Sequence, residues 1–272
     1  MFEARLTQAS LLKKLVDALK ELIQEANFNV SNTGMCLQAM DTSHVCLVAF
    51  MLREDGFDGN PGFRCDRDMS LGMHLTNLSK ILKCAANDDS VTLKAEDDGD
   101  VLSLTFESPS HDRSSNFDLK LMDIDAEHLG IPDQEYAAEI TMSASEYQRI
   151  CRDLATIGDT VQITATKNGV KFSTSGDVGT ASITLKQNTS SEKAEEHTRI
   201  QLNEAVSLTF ALRYLNNFAK ATPLASQVKL SLAKDIPIVV EYQINDIGFL
   251  KYYLAPKIED NDEGNADDGD SN

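Results

Sequence analysis

Eight basic side chains, paired on four short helical patterns, are the residues whose type and spacing bear most directly on chemistry: Lys13 and Lys20, Lys80 and Lys83, Arg149 and Arg152, Arg213 and Lys220. At about 100° per residue each pair falls opposite an apolar stripe, with one acid, Asp17, on the same faces. In a chain of formal net charge -18, cations gathered this way suit contact with phosphates, an attraction that reads no base sequence. Without such concentration a chain this acidic would repel nucleic acid.

Other chemistries find no footing. The sequence holds no Gly-rich phosphate loop, no metal-ligand spacing and no nucleophile placed with a base, which argues against an enzyme and calls for no cofactor or metal. Cys36, Cys46, Cys65, Cys84 and Cys151 are odd in number and lack a Cys-x-x-Cys pair, so they read as reduced small hydrophobes. His44 stands alone beside an apolar run, and Asp123 and Asp125 lie in a polar stretch and read as solvated. There is no Trp, and no helix-turn-helix, zinc-finger or base-stacking signature.

The elements that must position the basic pairs follow from periodicity. Leu78, Ile81, Leu82 and Ala85 oppose Thr76, Lys80 and Lys83; Tyr147, Ile150, Cys151, Leu154 and Ile157 oppose Arg149 and Arg152. Ser143 with Glu146 predicts a capping box at the start of that third helix. Leu11, Leu15, Leu19 and Leu22 oppose Lys13, Asp17 and Lys20, and Leu215, Phe218 and Ala219 oppose Arg213, Asn217 and Lys220. Between the helices, alternating runs such as Val91–Ala95, Val101–Phe106, Val161–Ile163 and Val228–Leu232 predict antiparallel strands with one buried face. Asn32-Thr33-Gly34, Asp97 to Asp100 and Asn168-Gly169 supply tight turns between them.

The order strand, helix, three strands then recurs four times, which predicts an α+β chain of two similar domains with the helices on one face of antiparallel sheets. The expected divisions are 1–120, a connector at 121–135, a second domain at 136–258, and a disordered acidic tail at 259–272. The longest apolar run, Val45 to Leu52, is far short of the ~20 residues of a membrane span, and Met1-Phe2-Glu3-Ala4-Arg5 lacks the form of a signal peptide. Membrane insertion and secretion are not expected.

The opening Met1 to Leu6, the connector Leu121-Met122-Asp123-Ile124-Asp125 with Leu129-Gly130-Ile131-Pro132, and the ending Leu250 to Glu259 resemble the proliferating cell nuclear antigen family of eukaryotic sliding clamps. Cys65 to Arg67, Ser79 to Cys84, Ile150 to Leu154 and Leu208 to Leu215 share the resemblance. It implies two DNA-clamp domains per chain and a head-to-tail homotrimer: a ring around double-stranded DNA, without sequence specificity, whose hole is lined by the helices. Subunits would join through strands near Asp112 to Lys120 and Val178 to Lys186, with Phe117, Ile183 and Leu185 packing there.

The resemblance further implies a nuclear polymerase processivity factor for DNA replication, repair and translesion synthesis. Its clients would be the replicative DNA polymerase, clamp loader, flap endonuclease, DNA ligase and other PIP-box proteins. The client pocket would comprise Met40, His44, Val45 and Leu47; Leu129, Ile131 and Pro132; and Ile236, Pro237, Tyr253, Ala255 and Pro256. Lys167 matches the acceptor of ubiquitin and SUMO conjugation, although Asn168 replaces the family's usual Asp. The loop 58–63 and the acidic tail are longer than is usual in the family. Two other readings stay open: a subunit of a heterotrimeric checkpoint clamp, and an acidic protein-interaction scaffold that does not encircle DNA.

Overall fold

The structure, a computed structural model, describes residues 1–58, 62–125, 129–131, 134–190 and 193–258. The expected tail at 259–272, Pro132, and residues 59–61 of the 58–63 loop lie outside the described residues.

Alternation of apolar and polar residues sets strands that bury one face, and the four amphipathic stripes set helices between them. The N-terminal half runs β1 (Phe2–Leu6), α1 (Ala9–Leu19), β2 (Glu25–Ser31), β3 (Gly34–Met40), β4 (Cys46–Arg53), β5 (Phe63–Cys65), β6 (Met69–His74), α2 (Leu75–Leu82), β7 (Ser90–Ala95), β8 (Val101–Glu107) and β9 (Ser114–Lys120). The C-terminal half runs β10 (Ala138–Ser143), α3 (Ala144–Leu154), β11 (Thr160–Thr166), β12 (Gly169–Gly176), β13 (Gly179–Leu185), β14 (Arg199–Leu202), β15 (Val206–Ala211), α4 (Leu212–Phe218), β16 (Gln227–Leu232), β17 (Ile238–Ile244) and β18 (Gly248–Leu254).

Each half therefore holds two strand-helix-three-strand units, as the pattern predicts, plus a short strand that the pattern does not give. β5 and β14 cover the outer edges of β1 and β10, with Phe2 opposite Cys65 and Ala138 opposite Leu202. A strand of three or four residues has too few positions to register a period of two.

The strands form antiparallel sheets of order β5-β1-β7-β8-β9, β13-β12-β11-β15, and β14-β10-β16-β17-β18-β4-β3-β2-β6. The nine-stranded sheet is a composite of both halves. They meet where β18 pairs with β4, from Gly248 opposite Leu52 to Leu254 opposite Cys46. Cys46, Val48, Phe50 and Leu52 bury one face of β4 in the core, which explains the apolar run read from the sequence.

The helices make one layer. α1 packs on α2, α3 packs on α4, and α1 meets the 3-10 turn Ala219–Leu224 that follows α4. Leu12, Leu15, Val16, Ala18 and Leu19 form the buried side of α1, turned slightly from the expected stripe so that Leu11 is only half-buried. Tyr252 of β18 closes the joint between the halves. Its ring stacks on Phe218 at 4.4 Å and its hydroxyl donates to the Ala18 carbonyl at 3.1 Å.

The expected capping box does not form. Ser143 precedes α3 but makes no side-chain cap, and its Oγ pairs with Ser145 Oγ at 2.8 Å. The Ala144 N–H donates instead to the Ser226 carbonyl at 2.9 Å. The other helices start in the same way: Ala9 donates to Asp89 at 2.7 Å, Leu75 to Gln24 at 2.9 Å and Leu212 to Asp159 at 2.9 Å. Each acceptor precedes the strand that follows the other helix of the same half. The orphan first N–H of every helix is thus satisfied by chain distant in sequence, which makes a local cap unnecessary.

Candidate functional site

The helix layer presents Lys80, Lys83, Arg149, Arg152, Arg213 and Lys220 to solvent, whereas Lys13 and Lys20 are half-buried. Lys13 Nζ bonds the Ala85 carbonyl beyond the end of α2, and Lys20 Nζ bonds Asp17 at 2.5 Å and Ser79 at 3.3 Å. These two cations therefore tie α1 to α2. Lys14, which the stripe reading passed over, is the exposed lysine of α1.

Arg149 stands between Glu146 at 3.9 Å and Asp153 at 3.7 Å, and Arg152 lies 3.4 Å from Asp153. Exposed pairs of this kind are worth at most about 1 kcal/mol and leave the guanidinium groups available to a phosphate. Lys80 and Lys83 form no ion pair among the described residues. Lys220 is not on α4 as expected. That helix ends at Phe218, and Lys220 rides the tighter turn that leads into Pro223, whose missing N–H prevents helix continuation. Its Nζ lies 3.8 Å from Glu21.

A second surface forms at the joint of the halves. Met40 pairs with Leu47, and Leu47 with Tyr253, so three side chains line up across β3, β4 and β18 on the face opposite the core. The turn between β3 and β4 supplies Val45, whose carbonyl accepts the Ala255 N–H at 3.1 Å and so seats the Ala255-Pro256 segment beside it. Ile236 and Pro237 lead into Ile238, which pairs with Leu254, and this brings them to the same end of the sheet. Met40 and Val45 are 36% and 39% exposed, an unusual degree for apolar side chains standing together.

Asp41, 6% exposed, fixes the turn. Its carboxylate accepts from the N–H groups of Ser43 at 3.2 Å, Val45 at 3.0 Å and Cys46 at 2.8 Å, and from the Tyr214 hydroxyl at 2.7 Å. Burial pushes this carboxyl up, but the hydrogen bonds from Tyr214 and the three amides outweigh it and hold it below its ordinary value. His44 takes a left-handed backbone (φ 56°) and is exposed in the turn.

The connector runs beside this surface. The Met122 N–H donates to the Gly72 carbonyl at 2.9 Å, and Asn27 Nδ2 donates to the Ile124 carbonyl at 2.8 Å. The Gln38 amide grips the Leu129 backbone twice, Nε2 to its carbonyl and its N–H to Oε1, both at 2.8 Å. Gly72 permits this seat, since a Cβ there would stand 2.1 Å from the Met122 carbonyl. Just beyond the Leu129 clamp, Ile131 is 40% exposed. Expected pocket residues from all three segments are thus brought to one region, with Pro132 outside the described residues.

Phe117, Ile183 and Leu185 lie half-buried on β9 and β13, each the last strand of its sheet, and Phe117 packs 5.6 Å from Phe106. Lys167 is exposed at the turn between β11 and β12, where Gly169 takes φ 131°. The thiols of Cys46 and Cys151 are buried and pushed up to about 12 by that burial, which suits them to packing and not to nucleophilic attack. Among the described residues no three His, Cys, Asp or Glu gather as a metal site.

Two family models match the chain. Residues 1–128 match the N-terminal domain of proliferating cell nuclear antigen, and residues 130–257 match its C-terminal domain.

Proposed function

The chain therefore belongs to the proliferating cell nuclear antigen family of DNA sliding clamps, and on that premise we propose that three copies close head to tail around duplex DNA and carry client proteins along it. One observation above all supports the ring. The internal repeat makes β9 the counterpart of β18 and β13 the counterpart of β4, yet among the described residues only β18 and β4 are joined. Two matching half-joints stand open on one chain, and open edges seek strands.

Transferring the β18–β4 register to the open pair, with core-facing residues aligned (Tyr252 with Phe117, Phe50 with Ile183), puts Ser115 opposite Ile183, Phe117 opposite Ala181 and Leu119 opposite Gly179 of the next subunit. A heterologous contact of this kind closes into a ring when its rotation permits. The basic layer then lines the hole, where weak phosphate contacts suffice because retention is topological.

The apolar surface around Met40, Val45, Ile131 and Tyr253 serves, in this reading, as the pocket for PIP-box clients. Met adapts to varied side chains, and the Gln38 and Asp41 networks hold the walls before a peptide arrives, which lowers the ordering cost of binding. Exposed Lys167 remains the proposed modifier acceptor, and the nucleus the proposed compartment.

Light scattering at two concentrations tests the ring. A mass of about 90 kDa, three chains of 29.9 kDa, with retention on circular but not linear DNA, is the expected outcome. A single-chain mass at both concentrations would sink it and favour a checkpoint-clamp subunit lacking its sisters, or a scaffold that never encircles DNA.

A further inference from the structure

The joint inside the chain is a template for the joint proposed between chains, and the residues at its end can be matched one by one. There the Arg53 N–H donates to the Ile247 carbonyl at 2.8 Å, one step beyond the last ladder pair, Leu52 opposite Gly248. Arg53 has its counterpart in Lys186. A Cβ on Gly34 would press on the Leu52 carbonyl and the Arg53 Cα, and a Cβ on Gly169 would press on the Leu185 carbonyl and the Lys186 Cα; both glycines take positive φ. Ile247 has its counterpart in Asp112. Each directly precedes the residue that closes a hairpin turn, Gly248 opposite Ile244 and Arg113 opposite Ser108, whose N–H donates to the Arg113 carbonyl at 3.0 Å.

Both counterparts stand on the exposed side of their strands. Ser114, Asn116 and Asp118 form that side of β9, and Asp112 lies two residues before them; Thr180, Ser182 and Thr184 form that side of β13, and Lys186 lies two residues after. Neither Asp112 nor Lys186 makes an ion pair within its own chain among the described residues. Asp112 is held by hydroxyls instead, with Ser108 Oγ and Ser110 Oγ each donating to its Oδ1 at 2.7 Å.

On the ring reading above, we propose that Asp112 of one subunit and Lys186 of the next form an ion pair that closes one end of each subunit joint. The register that sets Ser115 opposite Ile183 and Phe117 opposite Ala181 also sets Asp112 opposite Lys186. The other exposed positions of that joint bring Ser114 to Thr184, Asn116 to Ser182 and Asp118 to Thr180, so opposite full charges face each other only at this end. The template joint has no such pair, because it sets Arg53 against the aliphatic Ile247. A second copy of this chain is therefore the partner that the unpaired Lys186 fits. Ser108 and Ser110 already restrain Asp112, which lowers the side-chain freedom lost when the pair forms.

Sedimentation of the parent, Lys186→Asp, Asp112→Lys and the double exchange over a dilution series tests the pair. Each single reversal sets like charges together, an effect of roughly two-fold at an exposed site. Three joints per ring multiply it to a loss of about ten-fold in the trimer association constant. The double exchange restores opposite charge and should return to within about two-fold of the parent. The gap between parent and single variants should also shrink in about 1 M salt, where screening reaches within about 3 Å. Lys186→Asp leaves the hydroxyl bonds to Asp112 in place, so it separates the pair from the turn. Association like the parent's in both single variants overturns the pair, as does a double exchange no better than the singles. A parent of single-chain mass at every concentration fails the ring reading itself, and the pair with it.

Discussion

Tyr214 and Asp41, 173 residues apart, meet in one hydrogen bond that settles how the turn carrying His44 and Val45 is held against the second domain. Tyr214→Phe deletes the donor to a carboxylate and should cost about 1–2 kcal/mol in urea unfolding at pH 7. Because the folded Asp41 carboxyl lies below its ordinary value, its contribution is complete above the unfolded value of ~3.9 and is lost as pH falls through the lower folded value. The variant should therefore differ from the parent at pH 7 and converge on it in acid, and an equal gap at both would show that the ionised carboxylate is not what Tyr214 supports. At the proposed pocket, Ile131→Ala should weaken a PIP-box peptide about 5-fold, with the native mass unaltered. Unchanged affinity in a calorimetric titration would remove Ile131 from the pocket. The sequence pointed to His44, Val45 and Ile131 only through resemblance, and it hid Asp41 and Tyr214 because no local pattern joins residues so far apart. Lys14 was hidden differently, since it flanks the stripe that drew attention to Lys13 and Lys20.

At the scale of elements, the helices and most strands were legible because each buries one face, and burial on one face is what periodicity records. What stayed illegible depends on distant chain: the edge strands β5 and β14, the β4–β18 joint, and the helix starts capped from another unit instead of by Ser143. The α4 boundary was misread for a local reason, since Pro223 tightens the last turn and carries Lys220 off the helix. The basic layer separates two roles that sequence could not. Lys80→Glu changes exposed charge, and Arg152→Glu does so while also removing the exposed pair with Asp153; both should lower loader-dependent polymerase stimulation several-fold while the native mass stays that of the proposed ring. Lys20→Glu removes contacts to Asp17 and Ser79 as well, and should also lower thermal stability. Full stimulation by both exposed-site variants would separate this layer from DNA.

Across the whole molecule, the proposed assembly rests on the two open half-joints. Phe117→Asp puts a carboxylate into the proposed subunit joint and should lower the scattering mass toward a single chain, with circular dichroism unchanged. A ring mass in that variant would move the interface elsewhere. The domain joint has another consequence, set by the order in which the chain is made. β4 is complete at residue 53, but its partner β18 begins at residue 248. At roughly 5–20 residues per second, a ribosome leaves the edge of β4 waiting for about 10–40 s. During that interval a nascent N-terminal domain exposes the kind of edge that, in the proposed ring, β9 of a finished neighbour would meet. Correct maturation is then a race between the arrival of the chain's own last strand and capture by another copy, and slower synthesis or crowded polysomes favour capture.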